Sequence, residues 1–136
     1  METFQLEKDI KVFCVIAKSF PEGILEAHQT LHSMIPYSVN RKYFGISFPN
    51  EKGVIIYRSA AEELSNGEAE KLNCETYLIK AGEYCAITIA DYLKDLQSID
   101  RAFKNLLSHP NLDPKGACIE WYINEKDVKC MIRIQK

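Results

Sequence analysis

The most suggestive chemistry in the sequence lies in Cys118-Ile119-Glu120-Trp121-Tyr122-Ile123-Asn124. A carboxylate in mid-strand between aromatic residues is uncommon, because Asp and Glu are depleted in strands. Period-two alternation places Cys118, Glu120, Tyr122 and Asn124 on one face, and Ile119, Trp121 and Ile123 on the other. Read from composition and spacing, Glu120 is a carboxylate on a solvated sheet face, the commonest fate of a glutamate. A second reading makes it a counter-charge. An apolar, aromatic-lined surface with one carboxylate binds cations by charge pairing and by attraction to ring faces.

The other reactive residue types point to packing first. Of seven tyrosines, Tyr43, Tyr57, Tyr77, Tyr84 and Tyr122 fall in extended segments, where aromatics are enriched for packing. As a group they offer broad faces with polar tips, suited to flat amphipathic ligands. His28 and His32 stand one helical turn apart with no third ligand at metal spacing, and His28 falls on an apolar stripe, so a core or edge histidine is expected. The five cysteines are scattered, with no C-x-x-C pair, and read as reduced thiols that pack as small hydrophobes. No nucleophile elbow, zinc-protease helix or phosphate-binding glycine loop occurs, so no metal or other cofactor is expected.

The elements that must position these residues form two similar halves. Residues 10–17 read as a strand, and Ser19-Phe20-Pro21-Glu22 as a capping box with a first-turn proline. Ile24, Leu25, His28, Leu31, Met34 and Ile35 follow at helical spacing up to Pro36. Tyr43 to Phe48 and Val54 to Ala60 read as a hairpin around Pro49-Asn50-Glu51-Lys52-Gly53. The order then recurs: Tyr84 to Ala90 as strand, a helical stripe through Leu93, Leu96, Ile99, Phe103, Leu106 and Leu107, then strands Ala117 to Ile123 and Val128 to Ile134. Pro36/Pro110, Asn50/Asn124, Glu51/Glu125, Lys52/Lys126 and Val54/Val128 are identical pairs 74 residues apart.

The expectation is therefore an α+β fold, a duplicated β-α-β-β unit forming a curved antiparallel sheet or open barrel with two helices and a cleft between pseudo-symmetric halves. Residues 1–136 read as one domain, with repeats at about 8–60 and 74–136. The acidic stretch 61–73 reads as a surface connector, followed by a short extended segment Glu75 to Ile79. The 74-residue offset sets Phe44, Ile46 and Phe48 opposite Cys118, Glu120 and Tyr122, so broken symmetry at Ile46/Glu120 marks the expected site. Its ligand contacts are then Glu120, Tyr122, Phe44, Ile46, Phe48, Tyr57 and Cys118.

Composition narrows the function classes. The chain has 136 residues, 46% hydrophobic and 26% charged, within the range of a globular domain. A net charge of -2 without a Lys/Arg cluster argues against direct nucleic-acid binding. The first ten residues contain no apolar core of a signal peptide, and no apolar run approaches membrane-spanning length. A cytoplasmic location without membrane contact is expected.

The duplicated order, the Ile-Lys-Ala-Gly-Glu-Tyr stretch at 79–84 and Ile-Glu-Trp-Tyr at 119–122 together resemble GyrI-like small-molecule (effector) binding domains, over nearly the whole chain. Such domains occur as sensor parts of AraC- and MerR-type bacterial transcription regulators and as stand-alone proteins. The resemblance implies the stand-alone form, without a DNA-binding part. It implies two units around a ligand cleft, hydrophobic and often cationic aromatic ligands including drugs, Glu120 as anchor, and Tyr122 as the motif's tyrosine. It also implies an alternative, a hydrolase opening strained electrophilic rings of toxic compounds, with Glu120 as general base on a water and Tyr122 orienting the substrate. A protein partner, a regulator or topoisomerase, has the acidic connector as its one support.

Overall fold

A computed structural model describes residues 1–135 of the chain. Eight strands form one curled antiparallel sheet: β1 (Glu2–Leu6), β2 (Ile10–Ile16), β3 (Tyr43–Pro49), β4 (Ile55–Glu62), β5 (Glu75–Ile79), β6 (Gly82–Ile89), β7 (Cys118–Tyr122) and β8 (Val128–Arg133). Three helices accompany them: α1 (Ile24–Met34), the short α2 (Glu68–Lys71) and α3 (Ser98–Leu106), with a single 3-10 turn at Tyr92–Lys94. Among the described residues no helix is long and apolar enough to cross a membrane. All five cysteines are free.

The strand order is β1-β6-β8-β7-β3-β4-β2-β5. Exchanging the repeats reverses this order onto itself, so the sheet has a pseudo-twofold axis at its centre. Each outer strand belongs to the opposite half: β1 pairs with β6, and β5 with β2. The α+β duplication thus stands, with one addition. Each repeat begins with a strand that the sequence reading left out of the unit, so the repeat is β-β-α-β-β. In β1 only Phe4 and Leu6 turn inward, too short an alternation to stand out among charged neighbours.

The two sheet faces are buried in different ways. The inner face closes on itself: every strand contributes to one cluster that includes Leu6, Val12, Phe44, Ile46, Ala60, Ile79, Tyr84, Ile119 and Met131. Burying such side chains contributes roughly 1.5–3 kcal/mol each. The outer face carries the helices. Ala27 and Leu31 of α1 are buried where the helix packs on β2 and β4, beside Phe13, Tyr43 and Ala61. Ala102 and Leu106 of α3 pack on β6 and β8 against Val128, Cys130 and Ile132. The helices therefore stand apart and leave β3 and β7, the central pair, open between them.

In the two central hairpins, β3–β4 and β7–β8, the repeat offset needs a correction of one residue. Ile46 faces Arg58 across β3–β4, and Ile119 faces Met131 across β7–β8. These equivalent ladder pairs are 73 residues apart, not 74. Three of the 74-residue identities, Asn50/Asn124, Glu51/Glu125 and Lys52/Lys126, lie in the hairpin turns. Asn50 Oδ1 accepts the N–H groups of Lys52 and Val54, and Asn124 Oδ1 those of Lys126 and Asp127. The same asparagine turn is shifted by one residue relative to its strands. Because side chains alternate with period two, that slip reverses the face. The counterpart of Glu120 is Ser47, and Phe44, Ile46 and Phe48 lie on the inner face.

Two helix expectations also change. No capping box forms at Ser19: α1 begins at Ile24, with Gly23 as a cap that lacks a side-chain bond, and Gly23 N–H donates to the Ser19 carbonyl. The second stripe breaks into the 3-10 turn and α3, which leaves Leu93 (63%), Leu96 (73%) and Leu107 (56%) exposed rather than in the core. In the 61–73 stretch, β4 runs on to Glu62 and α2 follows, tied down by paired hydrogen bonds from Arg41 to Glu68.

Candidate functional site

The open central strands form the floor of a cavity of about 1010 Å³ between the two helices. Tyr43 and Ser47 of β3 and Cys118, Glu120 and Tyr122 of β7 line the floor. Their shared face follows from the register, in which Gly45 lies opposite Glu120, Ser47 opposite Cys118 and Tyr43 opposite Tyr122. One wall is α1 with the loops at its ends, presenting Phe20, Leu25, His28 and Tyr37. The other is the 3-10 turn and α3, presenting Tyr92, Leu93, Leu96 and Phe103.

Gly45 leaves the space that the floor carboxylate needs. A Cβ there would sit 2.6 Å from Glu120 Oε1 and 2.0 Å from the Tyr57 hydroxyl. Into that space Tyr57 donates to Glu120 Oε1 at 2.9 Å, and Tyr122 donates to the same oxygen at 2.5 Å. Among the described residues nothing donates to Oε2. Behind Glu120 the network continues: His28 Nε2 lies 2.8 Å from the Tyr57 hydroxyl, and His28 Nδ1 lies 2.5 Å from Ser59 Oγ. Ser59 is fully buried (0% exposed).

Burial sets the electrostatics. Desolvation pushes the Glu120 carboxyl above the ordinary carboxylate range, and the two tyrosine hydrogen bonds pull it partway back. It pushes the Tyr122 and Tyr57 phenols far up, with the Glu120 charge adding to the effect. His28 is pushed down to about 4 by burial and by neighbouring His32, so its ring is neutral at physiological pH. No described Lys or Arg lines the cavity, whereas Glu22, Asp100 and Glu125 stand exposed at its rim. The interior therefore carries one candidate negative charge, at the floor, with none opposing it.

Of the residues singled out from the sequence, Glu120, Tyr122 and Cys118 line the cavity. Tyr57 is buried directly behind Glu120 and touches it through its hydroxyl. Phe44, Ile46 and Phe48 lie across the sheet in the inner core and do not reach the site. Cys118 is a poor nucleophile here, because burial and the Glu120 charge raise its thiol to about 11. Both ring nitrogens of His28 are engaged by protein hydroxyls, and no described group of three His, Cys, Asp or Glu residues is arranged for a metal ion.

Sequence reasoning missed His28, Tyr43 and Tyr92 as site residues. A histidine on a helix's apolar stripe looks the same whether the stripe meets a core or a cavity. Leu93 and Leu96 were missed for the same reason. Tyr92 meets Tyr122 at 5.8 Å, and Tyr37 stacks on Tyr43 at 5.4 Å, so the aromatic lining comes from segments far apart in the chain.

Fold and site together define a class: a duplicated, curled antiparallel sheet with a deep aromatic cavity at its seam. No protein-family profile matches the chain, and no curated protein sequence matches it. Solved structures do share the fold. An integron cassette protein from the mobile metagenome of Vibrio cholerae superposes with a TM-score of 0.76 at 10% identity, covering 98% of this chain and 95% of that one. The protein SAV2435, bound to tetraphenylphosphonium, gives 0.65 at 8% identity, with 98% and 93% covered. A hydrolase from Listeria innocua gives 0.58 at 9% identity, with 98% and 90% covered. At these identities the likeness establishes the fold and nothing finer.

Proposed function

We propose that the chain is an effector-binding-type domain, GyrI-like in kind, that captures bulky hydrophobic cations in this cavity, with Glu120 as the counter-charge. One observation carries the reading: a desolvated carboxylate at the floor of an aromatic cavity that no described Lys or Arg enters. A cation entering there gains a low-dielectric charge partner and the faces of Tyr43, Tyr92 and Phe103. A neutral ligand of the same shape gains only the apolar walls. A neighbour of the same fold is bound to tetraphenylphosphonium, a ligand of this chemical class.

The test is calorimetric titration with tetraphenylphosphonium and with neutral triphenylphosphine oxide. The cation is expected to bind at least about tenfold more tightly, a difference of roughly 1.4 kcal/mol. Glu120→Gln is expected to abolish that preference. Equal binding of the two compounds by the native chain would refute the reading.

A second reading, hydrolysis, has one observation in its favour. Glu120 Oε2 takes no hydrogen bond from described residues, and burial raises the carboxyl, as suits a general base acting on a water. Turnover of strained-ring electrophiles such as epoxides, lost in Glu120→Gln and impaired in Tyr122→Phe, would support it.

A further inference from the structure

The fully buried Ser59 hydroxyl lies three hydrogen bonds from the carboxylate at the cavity floor. The chain runs Ser59 Oγ to His28 Nδ1 (2.5 Å), His28 Nε2 to Tyr57 Oη (2.8 Å), and Tyr57 Oη to Glu120 Oε1 (2.9 Å). A neutral imidazole carries one N–H, so proton counting allows two polarities. In the first, Ser59 donates to Nδ1, Nε2–H donates to Tyr57, and the Tyr57 proton is left to point at an ionised Glu120. In the second, Nδ1–H donates to Ser59 and Tyr57 donates to Nε2. Glu120 must then be protonated to supply the proton that its contact with Tyr57 requires.

Ser59 decides between them. His28 Nδ1 is the only described partner of its hydroxyl. In the second polarity the Ser59 proton would have no acceptor in a site with no access to water, an arrangement that buried donors avoid. The first polarity satisfies every group in the chain.

We infer that Ser59 and His28 are positioning residues for the floor carboxylate: they fix the Tyr57 hydroxyl as a donor to Glu120 Oε1 and so favour the charged form that a cationic ligand needs. The inference deepens the binding reading and rests on it for its purpose, but not for its geometry. The other titratable groups facing Glu120 are Tyr122 and Cys118 on its own strand, Cys130 from β8 and Tyr92 from the 3-10 turn. None is a cation, and Cys118, Cys130 and Tyr92 make no hydrogen bond to it. His32, one turn along α1, bears on His28 rather than on Glu120. The tyrosine hydrogen bonds are therefore what sustains the charge, and the polarity of the Tyr57 bond is set from behind.

The experiment needs no ligand. Nitrogen-15 NMR of the native chain is expected to show His28 protonated at Nε2 and bare at Nδ1. Carbon-13 NMR of the Glu120 carboxyl in native protein and in Ser59→Ala is expected to show the variant titrating higher by roughly half a pH unit or more, because a relayed hydrogen bond loses its polarisation. Ser59→Thr, which keeps the hydroxyl, is expected to restore the native midpoint. His28 protonated at Nδ1 in the native chain, or an unmoved Glu120 midpoint in a folded Ser59→Ala, would overturn the inference. The tautomer measurement on the native chain decides the matter if the variants do not fold. A correct tautomer and midpoint shift alongside no preference for tetraphenylphosphonium would leave the relay standing and remove the cation reading.

Discussion

Gly45 and Glu120 are cross-strand partners on the central β3–β7 pair, and the absent side chain of one houses the carboxylate of the other. A methyl group at position 45 would lie within 2.7 Å of Tyr57 Cζ as well as against the Tyr57 and Glu120 oxygens. Those atoms belong to a packed, hydrogen-bonded group, so relief requires breaking the network. Gly45→Ala is expected to cost about 1–3 kcal/mol of stability in urea denaturation. It is also expected to weaken tetraphenylphosphonium binding at least about tenfold. Retention of native affinity would show that the carboxylate does not need its present seat.

The pH dependence of cation binding follows from the burial of Glu120. Only the ionised form offers a counter-charge, and burial raises the carboxyl above the ordinary carboxylate range. Affinity is expected to fall as pH drops through that raised value, with a limiting slope of about tenfold per pH unit. The fall starts at higher pH than an exposed glutamate would allow. Titrations with tetraphenylphosphonium from pH 8 to pH 4 would show this, and Glu120→Gln should flatten the profile.

The same carboxylate costs stability. Its folded value lies above its unfolded value, so its contribution to folding is fully present below the unfolded value and is lost as pH rises through the folded one. Above that folded value the empty cavity holds a charge that the fold disfavours. Glu120→Gln keeps an acceptor for Tyr57 and Tyr122 without that charge. It is expected to gain on the order of 1 kcal/mol, a few degrees in Tm, while losing cation binding. A lower Tm in the variant would contradict this account.

How much of this was legible in the sequence depends on what each signal reports. The duplicated order was readable because hairpin turns and period-two strands leave local marks, and the alternation around Glu120 and Tyr122 put both on one face, where the structure has them. The partner strand was misjudged. Asn50 and Asn124 align turn to turn, whereas the faces of β3 and β7 are set by ladder hydrogen bonds that no local residue encodes. The slip of one residue moved the expected apolar lining from the cavity to the core. The helical wall was hidden for a different reason: Leu93, Leu96 and His28 follow a core-like periodicity, and only the separation of α1 from α3 makes them line a space.

His28 gives the fold an acid-sensitive element of opposite sign to Glu120. Its value is lowered to about 4, below the unfolded histidine, so its contribution is fully present above pH 6.5 and is lost as pH falls toward 4. Over that window the loss amounts to about 3 kcal/mol. Urea midpoints measured in the Glu120→Gln background remove the opposing contribution of the carboxylate. There stability is expected to fall between pH 6.5 and pH 4, and an added His28→Gln should take out most of that slope.

Ile46 separates core from site. It pairs with Ile119 on the inner face, at the pseudo-twofold axis, and is fully buried. Its neighbours in sequence, Gly45 and Ser47, belong to the cavity side. Truncation to Ala leaves a void in a closed core that draws on all eight strands, and such changes cost about 2–5 kcal/mol. Ile46→Ala is therefore expected to lower stability by that amount, with tetraphenylphosphonium affinity within about threefold of native wherever the protein is folded. Had the 74-residue alignment governed the strands, Ile46 would line the cavity beside Glu120, and the same truncation would change binding more than stability. Denaturation and titration of this one variant thus decide which register the strands obey.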